Sequence, residues 1–154
     1  MFQLRSLAEA QKIELPNQLA TEALAENVAA ELRRGDVIAL TGDLGAGKSV
    51  FARALIKARG LGMGVEIGMV PSPTFTIVQQ YEFPDFPIYH FDFYRISQPE
   101  EAWETGLEEA FTEGALLIEW ADLIEEFLPS SAIRIHFEFG IVEAARTAHI
   151  SALR

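Results

Sequence analysis

Eight consecutive residues, Gly42, Asp43, Leu44, Gly45, Ala46, Gly47, Lys48 and Ser49, combine a pliable backbone with one cation and one hydroxyl. Gly42, Gly47, Lys48 and Ser49 fall on the fixed places of the pattern G-x-x-x-x-G-K-[ST]. The glycines let the chain curl until successive N–H groups point inward, which cradles phosphate oxygens. Lys48 puts a positive charge on the β- and γ-phosphates, and Ser49 offers a hydroxyl to magnesium. The helix that starts there adds the positive end of its dipole. The competing reading is a glycine-rich turn with a surface lysine. An apolar strand before the motif and a helical pattern after it are the context that phosphate binding requires, so a nucleoside triphosphate with magnesium is the expected ligand.

A magnesium nucleotide also calls for a carboxylate at the end of a neighbouring strand. Asp92 ends the apolar run IYHFD and Glu119 ends ALLIE. One acid would hold the metal together with Ser49, and the other would orient or deprotonate the attacking water. Spacing does not allocate the two roles. Pro71 and Pro73 restrict the backbone around Ser72 and Thr74. That segment is either a rigid loop entry or a switch-like carrier of a hydroxyl near the γ-phosphate. Trp120 follows Glu119 and is either core or a ring against the nucleotide. His90 reads as a core or hydrogen-bonded residue, and Arg95 as half of a surface ion pair. His136 and His149 read as outward-facing strand residues, with no three-ligand metal cluster.

These residues need a frame. Leu24, Val28 and Leu32 recur at helical spacing, so a helix is expected from about 17 to 34, capped near Asn17 and stopped at Gly35 with Arg33 and Arg34 in its last turn. DVIALTG reads as a strand, and Phe51, Ala54, Leu55 and Ala58 as a second helix. The glycine-rich stretch from 60 to 72 reads as a long loop. TFTIVQQYE and IYHFDFY read as strands around the turn FPDFP. SQPEEAWETGLEEAF reads as one helix, ALLIEW as a buried strand and ADLIEEFL as a short helix. Residues 133 to 139 alternate cleanly and pair with EAARTAHISA in a closing hairpin. The expected fold is one α/β domain over residues 1–154, with a mostly parallel but mixed sheet, flanking helices and a C-terminal antiparallel hairpin.

The chain has 154 residues, 49% of them hydrophobic, enough for a single core. It has no cysteine, which removes disulfides, thiolate metal sites and thiol nucleophiles. No window approaches a membrane span, and Met1 to Pro16 do not resemble a secretory signal, so a cytoplasmic location is expected. Twelve Lys and Arg face 23 Asp and Glu, a net charge of −11. Arg33 and Arg34 are the only basic cluster. Direct contact with nucleic acid is therefore not expected, and a protein partner is.

GDLGAGKS, SPTF, HFDFYR and IEWA, in that order in a chain of this length, resemble the TsaE (YjeE) family, and the likeness runs from the first helix through the final hairpin. The family supplies the ATPase of the bacterial machinery that makes threonylcarbamoyladenosine at position 37 of tRNA. The resemblance implies a P-loop NTPase-like fold and slow hydrolysis of ATP to ADP with Mg2+. It implies TsaB and TsaD as partners, with the threonylcarbamoyl transfer left to them. By motif position it makes Lys48 a phosphate and catalytic residue, Ser49 and Glu119 magnesium contacts, and Asp92 the other acid needed for hydrolysis. Thr74 would belong to a switch-like loop, and Thr21 and Arg146 would lie near the nucleotide. Ser49 stands where many members have threonine, which keeps the hydroxyl. Two other readings share the loop: a small-molecule or nucleoside kinase, disfavoured by the lack of an evident arginine-bearing lid, and a non-hydrolysing nucleotide sensor, disfavoured by the two acids.

Overall fold

The computed structural model describes residues 9–153. Five-residue β1 (Gln11–Leu15) enters α1 (Gln18–Glu31), and β2 (Val37–Gly42) leads through the glycine loop into α2 (Lys48–Met63). Strands β3 (Val78–Tyr81) and β4 (Ile88–Asp92) form a hairpin. A 3-10 segment (Pro99–Thr105) and the short α3 (Leu107–Glu113) precede β5 (Ala115–Glu119). A second 3-10 segment (Ala121–Phe127) leads to the closing pair β6 (Ile133–Phe139) and β7 (Arg146–Ala152).

All seven strands join one sheet in the order β1-β7-β6-β2-β5-β4-β3. The centre, β6-β2-β5-β4, is parallel. Both margins are antiparallel: β7 and β1 on one side, β3 on the other. The sheet is thus mixed, with parallel strands confined to its middle, where both faces are covered. On one face α1 and α2 bury Leu24, Val28, Phe51 and Leu55 against Ile38, Leu40, Leu117 and Ile135. On the other, α3 and the 3-10 segments bury Leu107, Ala110, Ile124 and Leu128 against Val37, Ala39, Phe91 and Ile118. Alternate residues of β2, β4 and β5 feed the two cores, which is why these strands read as continuous apolar runs.

Several boundaries differ from the sequence expectation. β1 was not expected; its polar–apolar alternation is short, and its partner β7 lies at the far end of the chain. Asn17 caps α1 as expected, its side chain accepting from the Ala20 N–H at 3.0 Å. The helix ends at Glu31, because Leu32 turns extended (ψ 137°) and the Asp36 carboxylate accepts from the Arg33 N–H at 2.7 Å. Arg33 and Arg34 therefore belong to a turn and not to the last helical turn. α2 runs past Gly60 to Met63, shortening the expected loop. A Cβ at Gly60 would meet the Val65 carbonyl oxygen at 2.9 Å and collide with Ile67, so glycine here permits the loop to pack onto the helix. TFTI is a turn and not strand. The helix expected over 97–111 breaks at Gly106, which has φ 89°.

Candidate functional site

The parallel strands β2, β5 and β4 all end at one edge of the sheet, where ligands of open α/β sheets bind. β2 delivers the chain into the Gly42–Ser49 loop. Gly42 has φ 130°, and a Cβ there would run into the carbonyl oxygen of Phe137 on β6. Gly45 and Gly47 also hold positive φ (81° and 124°). Asp43, Leu44 and Gly45 are exposed at the tip, whereas Ala46 is buried beneath it. α2 begins at Lys48, taking in the last two residues of the loop, so its free N–H groups face the same edge.

Lys48 is buried along its length and donates to the carbonyls of Gly42 and Asp43, the latter at 3.0 Å. Its ammonium lies 4.0 Å from the centre of the Trp120 ring. Burial lowers its pKa below the usual lysine value, against the opposing pull of Glu119, Asp122, Asp92 and Asp43.

Register brings the acids together. Asp92 and Glu119 are cross-strand neighbours on β4 and β5, and both are buried. His90 and Asp92 point to the face of β4 that α2 covers, because Phe91 and Phe93 point to the other. Ser49, in the first turn of α2, donates to Glu119 Oε1 at 2.7 Å. His90 Nε2 lies 2.6 Å from Glu119 Oε2, in a wholly buried contact. A carboxylate oxygen only accepts, so Nε2 carries the hydrogen. Nδ1 of the same ring is buried without a hydrogen-bond partner among the described residues. Glu119 is thus clamped through both oxygens, one by the loop and one by the sheet.

Asp92 is held differently. Oδ2 accepts from the Thr74 hydroxyl at 2.9 Å, and Oδ1 from the Tyr94 N–H at 2.9 Å. Thr74 is in turn 2.9 Å from the Ser72 hydroxyl. This links the Pro71–Phe75 segment to the carboxylate. The link depends on Ile77, whose φ of 72° is costly for a β-branched residue, by about 1–3 kcal/mol. The Ile77 N–H reaches back to the Pro73 carbonyl at 2.6 Å, and its own carbonyl accepts from the Asp92 N–H at 2.8 Å. Trp120 is the other non-glycine residue with positive φ (58°) among the described residues. Its turn lays the indole over Lys48 and 4.8 Å from the Tyr94 ring. Both strained residues therefore flank the two acids.

The fold that carries this loop and these two acids has a counterpart among known proteins, and so has the sequence. The model of the family described as threonylcarbamoyl adenosine biosynthesis protein TsaE matches residues 15–147. The chain belongs to the TsaE family. The tRNA threonylcarbamoyladenosine biosynthesis protein TsaE of Bacillus subtilis is 44% identical over 120 residues, 77% of this chain and 72% of that protein. The protein of the same name from Rickettsia felis is 40% identical over 124 residues, 80% of this chain and 70% of its own. The crystal structure of Bacillus subtilis YdiB superposes with a TM-score of 0.73 at 34% identity, covering 95% of this chain and 87% of that one.

Other expected positions distribute unevenly in this TsaE-family chain. Arg146 opens β7 and donates to the Gly45 carbonyl at 3.3 Å, its guanidinium 4.8 Å from the Phe139 ring. It is thus joined to the loop. Thr21 is buried in α1; no hydrogen bond ties it to the loop or the acids. Arg95 stacks 4.2 Å from the Phe75 ring, and it forms no ion pair among the described residues. His136 accepts or donates at Nδ1 to the Thr41 hydroxyl, 2.8 Å away, and is partly exposed. With Gly42, Asp43, Trp120 and Asp122 these two residues line a cleft of about 470 Å³ beside the loop. No group of three His, Cys, Asp or Glu is arranged as a metal site among the described residues, and no helix there is long and apolar enough to cross a membrane. His90 is the site residue that sequence reading undervalued. The one available signal was its place two residues before Asp92, which puts both on the same face of β4.

Proposed function

We propose that the chain is a P-loop NTPase-like ATPase: it binds ATP with Mg2+ at the Gly42–Ser49 loop and hydrolyses it slowly to ADP. The observation that carries the reading is the Ser49–Glu119–His90 chain beside the buried Lys48. A hydroxyl and a carboxylate oxygen 2.7 Å apart are hard oxygen donors of the kind magnesium takes, so this donor set fits the ion. Ser49 and Glu119 would hold it, and when bound it would neutralise charge developing on the phosphates.

The remaining roles belong to the chain's own groups. The loop N–H groups and the N-terminus of α2 bind the phosphates. Lys48 adds its charge, released from its carbonyl contacts. Trp120 limits where the ammonium points, through the ring face that it covers. Asp92 is fixed by Thr74 and the Tyr94 N–H, with its carboxylate free to accept a proton from the attacking water. His90 keeps Glu119 from rotating, as partners behind a ligand commonly do. Arg146 ties the β6–β7 hairpin to the loop and contributes a guanidinium beside the nucleotide.

In the cell this hydrolysis would support turnover of TsaB and TsaD in threonylcarbamoyladenosine formation on tRNA, without the chain performing the transfer. The support is family membership together with an acidic surface poorly suited to gripping RNA itself. The test is reconstitution. Threonylcarbamoylation of tRNA is measured with TsaB and TsaD, with and without this chain, in single and multiple turnover. Multiple turnover should require the chain, ATP and an intact Lys48. Equal turnover without the chain would refute the role.

A further inference from the structure

The net charge of the chain is concentrated in one layer. Between Arg95 and Arg134 there are ten Asp and Glu and not one Lys, Arg or His. The rest of the chain has thirteen acids against twelve bases, close to neutral. Those residues build α3, the two 3-10 segments and the buried strand β5. Of the ten acids, only Glu119 is buried in the site.

An aromatic groove opens in the same layer. Trp103, Phe111, Phe127 and Leu128 line a cavity of about 580 Å³, with Glu108 and Gly35 at its edge. The Trp103 ring lies 4.9 Å from Phe127 and 6.3 Å from Phe111, yet 40% of the residue is open to solvent. Tryptophan left half-open in an aromatic pocket is the side chain most often found at the energetic centre of protein interfaces. Glu104 and Glu126, the chain neighbours of Trp103 and Phe127, are exposed like Glu108. The nearest cations in sequence are Arg33 and Arg34. Arg34 is turned away to the carbonyls of Glu113 and Asp85.

Position separates this groove from the loop. Gly35 precedes β2, Glu108 and Phe111 precede β5, and Leu128 precedes β6. These are the starts of the parallel strands, whereas the Gly42–Ser49 loop and both acids are at their ends.

We propose that this groove is a docking site for a basic amphipathic segment of a partner protein. Its apolar anchors would fill the space among Trp103, Phe111 and Phe127, and its Lys or Arg would meet Glu104, Glu108 and Glu126. The charge selects among occupants. Nucleic acid and anionic membranes are repelled by the acidic rim, and so is the same face of a second copy. A cationic partner is steered toward it, and aromatic walls favour a helix presenting residues at i and i+4. The proposal does not depend on the ATPase reading, because the two sites occupy opposite edges of the sheet.

The test uses the full chain and three synthetic peptides of equal length. One is helical, with Leu at i and i+4 and Lys elsewhere. The second keeps the Lys and replaces each Leu by Ala, and the third keeps the Leu and replaces each Lys by Glu. Binding is followed by tryptophan fluorescence and titration calorimetry, with and without MgATP. The first peptide should bind at least tenfold more tightly than the other two. Combined E104K and E108K, both at exposed positions, should weaken it at least tenfold, and saturating MgATP should leave it unchanged. Equal binding of the Ala peptide would reduce the effect to bulk charge and overturn the proposal. So would indifference to the charge reversal, or displacement by MgATP. Self-association of the free chain that W103S abolishes would assign the groove to a second copy and also overturn it.

Discussion

The ends of β4 and β5 lie side by side in one sheet, yet their acids are held by different parts of the molecule. Glu119, at the end of β5, is fixed by Ser49 at the loop and by His90, which is wholly buried in the sheet. Asp92, at the end of β4, is fixed by Thr74, on a segment stiffened by Pro71 and Pro73 and turned by a strained Ile77. One acid answers to regular secondary structure, the other to a loop segment outside it. On the proposed ATPase reading, that asymmetry would give the metal to Glu119 and the water to Asp92. A metal ligand benefits from a fixed site, whereas a water-orienting base benefits from coupling to a segment that can register the γ-phosphate.

Substitutions sharpen the contrast. Asp92→Asn keeps the shape and removes the proposed base, so single-turnover ATP hydrolysis should fall by about 10²–10⁴-fold while MgATP affinity is retained. Loss of binding in parallel would move Asp92 into the metal site. Glu119→Gln should lower hydrolysis by about 10²–10³-fold and, unlike Asp92→Asn, raise the magnesium concentration needed for half-maximal rate. If both variants shift the magnesium curve equally, the division of labour fails. His90→Gln is expected to cost about 10–100-fold in apparent magnesium affinity with little change in metal-free ATP binding; an unchanged metal curve would leave His90 a packing residue. Thr74→Val removes one hydrogen bond of about 1 kcal/mol, roughly a fivefold fall in rate with the magnesium curve unmoved.

Lys48 reports on the same pair through its pH dependence. Burial lowers its pKa, and among the carboxylates opposing that shift Glu119 acts more strongly than Asp92. Phosphate binding favours the protonated amine, so ATP affinity should fall as pH rises through the pKa of the free protein, below the ordinary lysine range. Removing Glu119 lowers that pKa further and moves the fall to lower pH; removing Asp92 moves it less. Affinity profiles of Glu119→Gln and Asp92→Asn from pH 7 to 10 compare the two directly.

Features whose physics is local were legible in the sequence, and those that depend on distant pairing were not. The Gly42–Ser49 loop was readable because its chemistry is local and its spacing fixed. Asp92 and Glu119 were readable because each closes an apolar run. Their adjacency was not, because it comes from the pairing of β4 with β5 across 27 residues of separation, Asp92 to Glu119. The His90–Glu119 contact follows from the same pairing and was equally hidden. Ile77 and Trp120 take left-handed backbone conformations where nothing but glycine, asparagine or aspartate would advertise one. β1 was missed because an edge strand of five residues gains its identity from β7. The break at Gly106 was written in the sequence as a glycine inside a helical pattern, a signal that helix periodicity on both sides outweighed.

If the loop from Gly42 to Ser49 holds MgATP through Lys48, calorimetric titration of MgATP should find one site per wild-type chain. Lys48→Ala should bind about 10–100-fold more weakly, the loss of a charged hydrogen bond worth about 1.5–3 kcal/mol. Equal affinity in the two proteins, or no binding by the wild type, would refute MgATP binding at this loop.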